Sequence, residues 1–243
     1  MFRTGNPALK ETTFRGLPRA AVGEAMTLQG TVNKTGLSLL ILIGLAAFVW
    51  NTENFAPFML LGLVGGLVTA LITIFKNTVA PITTPLYAAF EGLFLGGLSK
   101  HFEMRYEGII INAVGLTFGT LAVLLLVYST GLIRPSENFK LGIVAATGAV
   151  ALLYVVSMVL GFFGMSVPYI HGSGPLGIAF SLFVVGLAAL NLVLDFDFIE
   201  RGAAGGAPKY MEWVGAFGLL VTLVWLYMEI LRLLAKLQGR DRR

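Results

Sequence analysis

Five ionisable residues lie inside long apolar stretches of this 243-residue chain: Glu91, Asp195, Asp197, Glu229 and Arg232. Lys76, Lys100, Lys236 and Glu200 sit nearer the ends of such stretches, where a long side chain can reach polar surroundings. A charged group in hydrocarbon costs about 2.5–3.5 kcal/mol on insertion scales, so each of the five is expected to face a partner or a cavity. Glu91 has apolar neighbours on both sides in Leu86-Tyr87-Ala88-Ala89-Phe90-Glu91-Gly92-Leu93. Asp195 and Asp197, two positions apart, point roughly 200° away from each other on a helix and cannot share one site. Arg232 follows Glu229 at i+3, on the same helix face, and can neutralise it. Asp197 and Glu200 read as solvated groups at an interface. For Asp195 and Glu229 two readings stand. Each is an isolated, satisfied polar group, or the two share a site. Two close carboxylates cannot both ionise cheaply, so such a pair holds a proton between them. It also offers hard oxygen ligands to a cation such as calcium.

Other chemistries find little support. With no cysteine, disulfides, thiolate metal sites and cysteine nucleophiles are excluded. His101 and His171 are the two imidazoles, and both fall in loops or at the end of an apolar run. A serine hydrolase needs a serine and a base facing each other. Ser173 in His171-Gly172-Ser173-Gly174 reads better as loop composition. No zinc-ligand pair occurs at helical spacing. The chain is therefore expected to be neither an enzyme nor a cofactor protein. The acids alone leave a diaspartyl protease as the alternative chemistry.

The elements that carry these residues are long and apolar. Hydrophobic residues make up 56% of the chain and charged residues 12%, about half the charged share of a soluble domain. Mean hydropathy is +0.83. A helix crosses about 30 Å of hydrocarbon with roughly 20 apolar residues. Seven segments meet or approach that length: 30–50, 56–76, 84–102, 109–132, 139–163, 175–199 and 212–235. The expected fold is an all-α membrane protein of seven transmembrane helices, since lipid cannot satisfy the backbone of an open strand. Pro81 and Pro85 bracket the entry to the third segment, and the stretch from Arg201 to Lys209 reads as the most flexible linker. Gly62, Gly65 and Gly66, then Gly92, Gly96 and Gly97, then Gly115 and Gly119, have spacings that let helices pack closely.

Residues 1–23 read as a basic mobile tail without a cleavable signal, 24–238 as one transmembrane domain and 239–243 as a basic C-terminal tail. The net charge of +4, concentrated at the ends, suits anionic lipid headgroups and not nucleic acid. With the amino terminus in the cytoplasm, the tail and even-numbered loops hold about ten Lys or Arg, against two, Lys100 and Arg105, in the odd-numbered loops. That favours a cytoplasmic amino terminus, although it leaves Arg240, Arg242 and Arg243 on the far side.

Four stretches, in order, resemble motifs of the Bax inhibitor family of YccA-like membrane proteins, in its long-tailed bacterial branch. They are Met26-Thr27-Leu28-Gln29-Gly30-Thr31-Val32-Asn33-Lys34-Thr35-Gly36, Phe90-Glu91-Gly92-Leu93-Phe94-Leu95-Gly96, Asn191-Leu192-Val193-Leu194-Asp195-Phe196-Asp197 and Leu226-Tyr227-Met228-Glu229-Ile230-Leu231-Arg232-Leu233. The resemblance runs from about residue 24 to the end. It implies a last helix central among six others in a bacterial cytoplasmic membrane. It also implies a pH-regulated calcium leak, gated by an acidic pair carried over to Asp195 and Glu229. Some members instead regulate a membrane protease or suppress cell death, which implies a membrane protein partner. The last-span acid here is Glu where the family usually has Asp, and the second span lacks the acid some bacterial members carry, with Lys76 near their basic position. Helix arithmetic opposes the pair. At 1.5 Å per residue, Asp195 lies about 12 Å past the centre of its span and Glu229 about 7 Å past the centre of the next, antiparallel one.

Overall fold

The computed structural model describes residues 25–133, 135–165, 172 and 174–241. The tail 1–23, His171 and Ser173 lie outside the described residues. Seven α-helices occur among them: α1 (Leu28–Trp50), α2 (Ala56–Phe75), α3 (Ala80–Glu103), α4 (Ile109–Ser129), α5 (Glu137–Phe162), α6 (Pro175–Ala204) and α7 (Met211–Asp241). A short 3-10 turn, Asn77–Val79, joins α2 to α3. The described residues include no β-strand, only an isolated bridge between Ala25 and Pro208.

Local sequence sets most of the boundaries. Thr27 caps α1, its hydroxyl accepting from Gly30 N at 2.9 Å, and Ser136 caps α5 in the same way. Prolines open α2 and α6, where the missing N–H would have no helical partner. Three boundaries differ from the sequence reading. The third helix begins at Ala80 and not at 84, so Pro81 lies within its first turn with Pro85 in the next, and the pair does not bracket its entry. The sixth continues to Ala204, taking in the first half of the supposed flexible linker. The linker then turns at Gly206 (φ 68°). Its far half is tied down as well, since Met26 N donates to Ala207 O at 2.6 Å. The last helix runs on to Asp241, into the stretch read as a C-terminal tail.

Six of the seven helices are long and apolar enough to cross a membrane. The exception is α3, which dilutes its apolar residues with Thr83, Thr84, Ser99, Lys100 and His101. It nevertheless runs beside α7 in the same direction. Thr84 Oγ1 donates to Trp213 O at 3.1 Å, and fourteen residues further along α7 the Tyr227 hydroxyl bonds Ser99 at 2.6 Å.

The most buried helix is α7, which packs on α1, α3, α4 and α6. A second close-packed layer joins α1, α2 and α3 through glycine. A Cβ at Gly62 would come to 2.5 Å from Phe90 O, and one at Gly92 would strike the Leu42 carbonyl. Gly115 and Gly119 do not serve this purpose, since a Cβ at either meets nothing within 4 Å. The buried face of α4 is instead Ala113 and Thr117, two residues out of phase. The least buried of the six apolar helices, α5, packs extensively on α6 alone.

Candidate functional site

The buried carboxylates are arranged along α7. Glu212 lies in its first turn and is fully buried. Thr222 follows ten residues on, and Glu229 seven residues after that.

Asp195, fully buried on α6, accepts from the Thr222 hydroxyl at 2.5 Å. Glu229 is also buried, and it accepts from the Tyr154 hydroxyl of α5 at 2.9 Å. Arg232 Nη1 closes this second site, donating to Glu229 Oε1 at 2.9 Å and to the Tyr154 oxygen at 2.8 Å. The i+3 pair expected from sequence is therefore present and includes a tyrosine from another helix. Asp195 is bonded at the level of Thr222, and seven residues of α7 span about 10 Å. The two acids thus occupy separate stations on one helix, each with its own partners, in keeping with the depth arithmetic of antiparallel spans.

Asp197 faces away from Asp195, towards α5. It pairs with Lys140 at 2.8 Å and with Arg201, and Glu137 joins both cations at 3.1 and 3.6 Å. Glu200 accepts from Tyr128 of α4 at 2.5 Å. Both are protein-bonded at the end of α6 and not simply solvated. Together with Asn191, whose Nδ2 donates to Thr147 Oγ1 at 2.9 Å, these contacts give α5 a polar face. Lys140, Thr147 and Tyr154 follow one another at seven-residue spacing, and each bonds a different polar side chain on α6 or α7. In hydrocarbon, where apolar burial gives no drive for association, such interhelical bonds and close packing hold helices together.

Glu91 lies midway along α3, half-buried against α2. A Cβ at Gly66 would lie 3.1 Å from its Oε1, and its Oε2 is buried without a hydrogen-bond partner. Lys76 is exposed at the C-terminal end of α2.

The most connected acid is one the sequence did not single out. Glu212 accepts from Thr27 N at 2.9 Å and from the Thr27 hydroxyl at 2.8 Å, and it pairs with Lys209 at 2.8 Å and with Lys34. Gly30 leaves room for it, because a Cβ there would overlap the carboxylate. The arrangement locks the start of α1 to the start of α7. Its only sequence signal is Lys209 at i−3, since Thr27 and Lys34 are 185 and 178 residues away.

The family model described as Bax inhibitor 1 like matches residues 6–239, nearly the whole chain. The chain belongs to the Bax inhibitor 1-like family. It is accordingly an integral membrane protein. No curated protein matches it. Three of the four motif stretches that carry the resemblance converge on α7 in space. The α1 opening meets it at Glu212, the α6 motif at Thr222, and the last motif supplies Glu229 itself.

Proposed function

We propose that this protein is a pH-regulated calcium leak of a bacterial cytoplasmic membrane, with Asp195 and Glu229 as its proton-sensitive groups. The observation that carries the reading is the placement of two buried carboxylates at separate heights along the most buried helix: Asp195 of α6 bonds it at Thr222, and Glu229, on α7 itself, is bonded to α5. Protonating Asp195 weakens the charge-assisted bond from Thr222, and protonating Glu229 weakens its hold on Arg232 and Tyr154. Either event loosens α7 against α6 or α5, while the acid that stays ionised keeps hard oxygen ligands suited to calcium.

In this reading the chain makes seven crossings with the last helix as their axis. The meeting of the start of α1 with the start of α7 at Glu212 supports an even number of crossings between them. The 15 residues from Thr84 to Ser99 carry α3 along α7 for about 22 Å, most of a hydrocarbon thickness. The basic residues of the tail and even-numbered loops support a cytoplasmic amino terminus.

The test is calcium flux into dye-loaded liposomes across a pH series. Wild type is expected to conduct, and Asp195→Asn and Glu229→Gln to alter the pH dependence. Wild-type protein that gives no flux at any pH overturns the proposal. One observation favours a second reading, a non-transporting regulator of a membrane protein partner: the cavity between α1, α3, α4 and α7 is lined almost wholly by apolar side chains, which suit a hydrophobic occupant better than an ion. Capture of a specific partner by a protein that gives no flux would establish that alternative.

A further inference from the structure

We infer that this cavity, of about 280 Å³, is a binding site for one phospholipid, with an acyl chain inside it and the phosphate on Lys100. Both α1 and α4 pack on α7 but do not form a packed pair with each other, so a slot between them opens towards the hydrocarbon. Its floor is the α7 face from Leu220 to Tyr227, with Leu95 and Ser99 of α3 beside it. On α1 the lining runs from Leu39 to Trp50, eleven residues or about 16 Å, which is one leaflet of a core about 30 Å thick. The slot therefore has the length of a single acyl chain and stops near the middle of the membrane.

Its outer end carries the chemistry of a headgroup site. Trp50 lines that end, at the depth where amphipathic rings favour the interface. Lys100 follows Ser99, and its ammonium donates to Trp50 O at 3.0 Å and Thr52 O at 2.6 Å. Beyond these two carbonyls the ammonium has only the Phe55 ring at the start of α2, 5.9 Å from its centroid, and Lys100 makes no ion pair among the described residues, so its charge lacks an anionic partner there. A phosphate oxygen completes the set. Glu53 and Glu107, in the turns on this side, disfavour a purely anionic surface, so recognition here falls on one phosphate and not on bulk negative charge. The inference stands whether or not the protein conducts ions.

The test is native mass spectrometry of the full chain in detergent, with added phosphatidylglycerol, phosphatidylethanolamine or palmitate. Wild type is expected to retain one phospholipid of either headgroup in preference to palmitate. Ala47→Phe and Val114→Phe, which fill the slot, are expected to lower that occupancy at least tenfold. Leu60→Phe on the exposed face of α2 should leave it unchanged. Lys100→Gln should lower it by a similar factor and Lys100→Arg should restore it, which keeps the test valid even if a filled variant fails to fold. Equal retention by wild type, the filled variants and Lys100→Gln overturns the inference. So does palmitate bound as well as phospholipid, or a second copy of the chain or another protein in place of the lipid.

Discussion

If Asp195 and Glu229 are separate stations, removing both must cost the sum of removing each. The perturbation is the cycle Asp195→Asn, Glu229→Gln and the double variant. Asp195→Asn weakens one charge-assisted bond from Thr222, and bonds between membrane helices average about 0.6 kcal/mol with a maximum near 1.7. Glu229→Gln weakens two donors at once, Tyr154 and Arg232, but the Arg232 side chain is 39% exposed, so the ionic part is discounted for screening. A loss of about 1–2 kcal/mol is expected there. The sites lie about 10 Å apart along α7, a distance at which effects add to within about 0.5 kcal/mol. Reversible unfolding in mixed micelles, followed by circular dichroism, measures all four corners. A coupling energy above about 1 kcal/mol, typical of groups in direct contact, would refute the separate-station geometry.

Other expectations concern packing and anchoring. Gly62→Ala forces a methyl against Phe90 O and should destabilise by about 1–3 kcal/mol, whereas Gly115→Ala meets nothing and should stay within about 0.5 kcal/mol, both by the same unfolding assay. Glu212→Gln leaves Lys34 and Lys209 without their carboxylate and should free the start of α1, read as faster amide exchange at Thr27–Thr31 and unchanged exchange in α5. Tyr154→Phe combined with Lys140→Met removes the polar links of α5 to Glu229 and Asp197. Spin labels on α5 and α1, straightforward in a chain without cysteine, should then show a broader distance distribution than wild type, and identical distributions would count against the polar-face account.

Much of the helical frame is legible in composition and proline placement, because lipid leaves the backbone few alternatives. The ends are less so. Arg201–Ala204 looks like a linker by its glycine and charge, yet Arg201 is drawn into helix by Asp197 at i−4 and by Glu137 on α5. Glycine spacing identifies residues able to pack closely but not which pairs do, and Gly115 and Gly119 match the spacing of the α2 and α3 glycines while facing away from any neighbour. The acids themselves stand out in the sequence because apolar stretches isolate them. Their partners do not: Tyr154 is an ordinary aromatic in an apolar run, and Thr222 an ordinary small polar residue. Glu212 sits at a helix start, where acids are common, so only the folded chain reveals that it gathers four donors.

The pH profile of calcium flux in liposomes, recorded for wild type, Asp195→Asn and Glu229→Gln, tests the account most directly. Two independent carboxylates at separate heights predict that each single variant changes the profile but leaves a residual pH dependence carried by the other acid. A profile that either variant flattens entirely would contradict the account, as would one that neither changes.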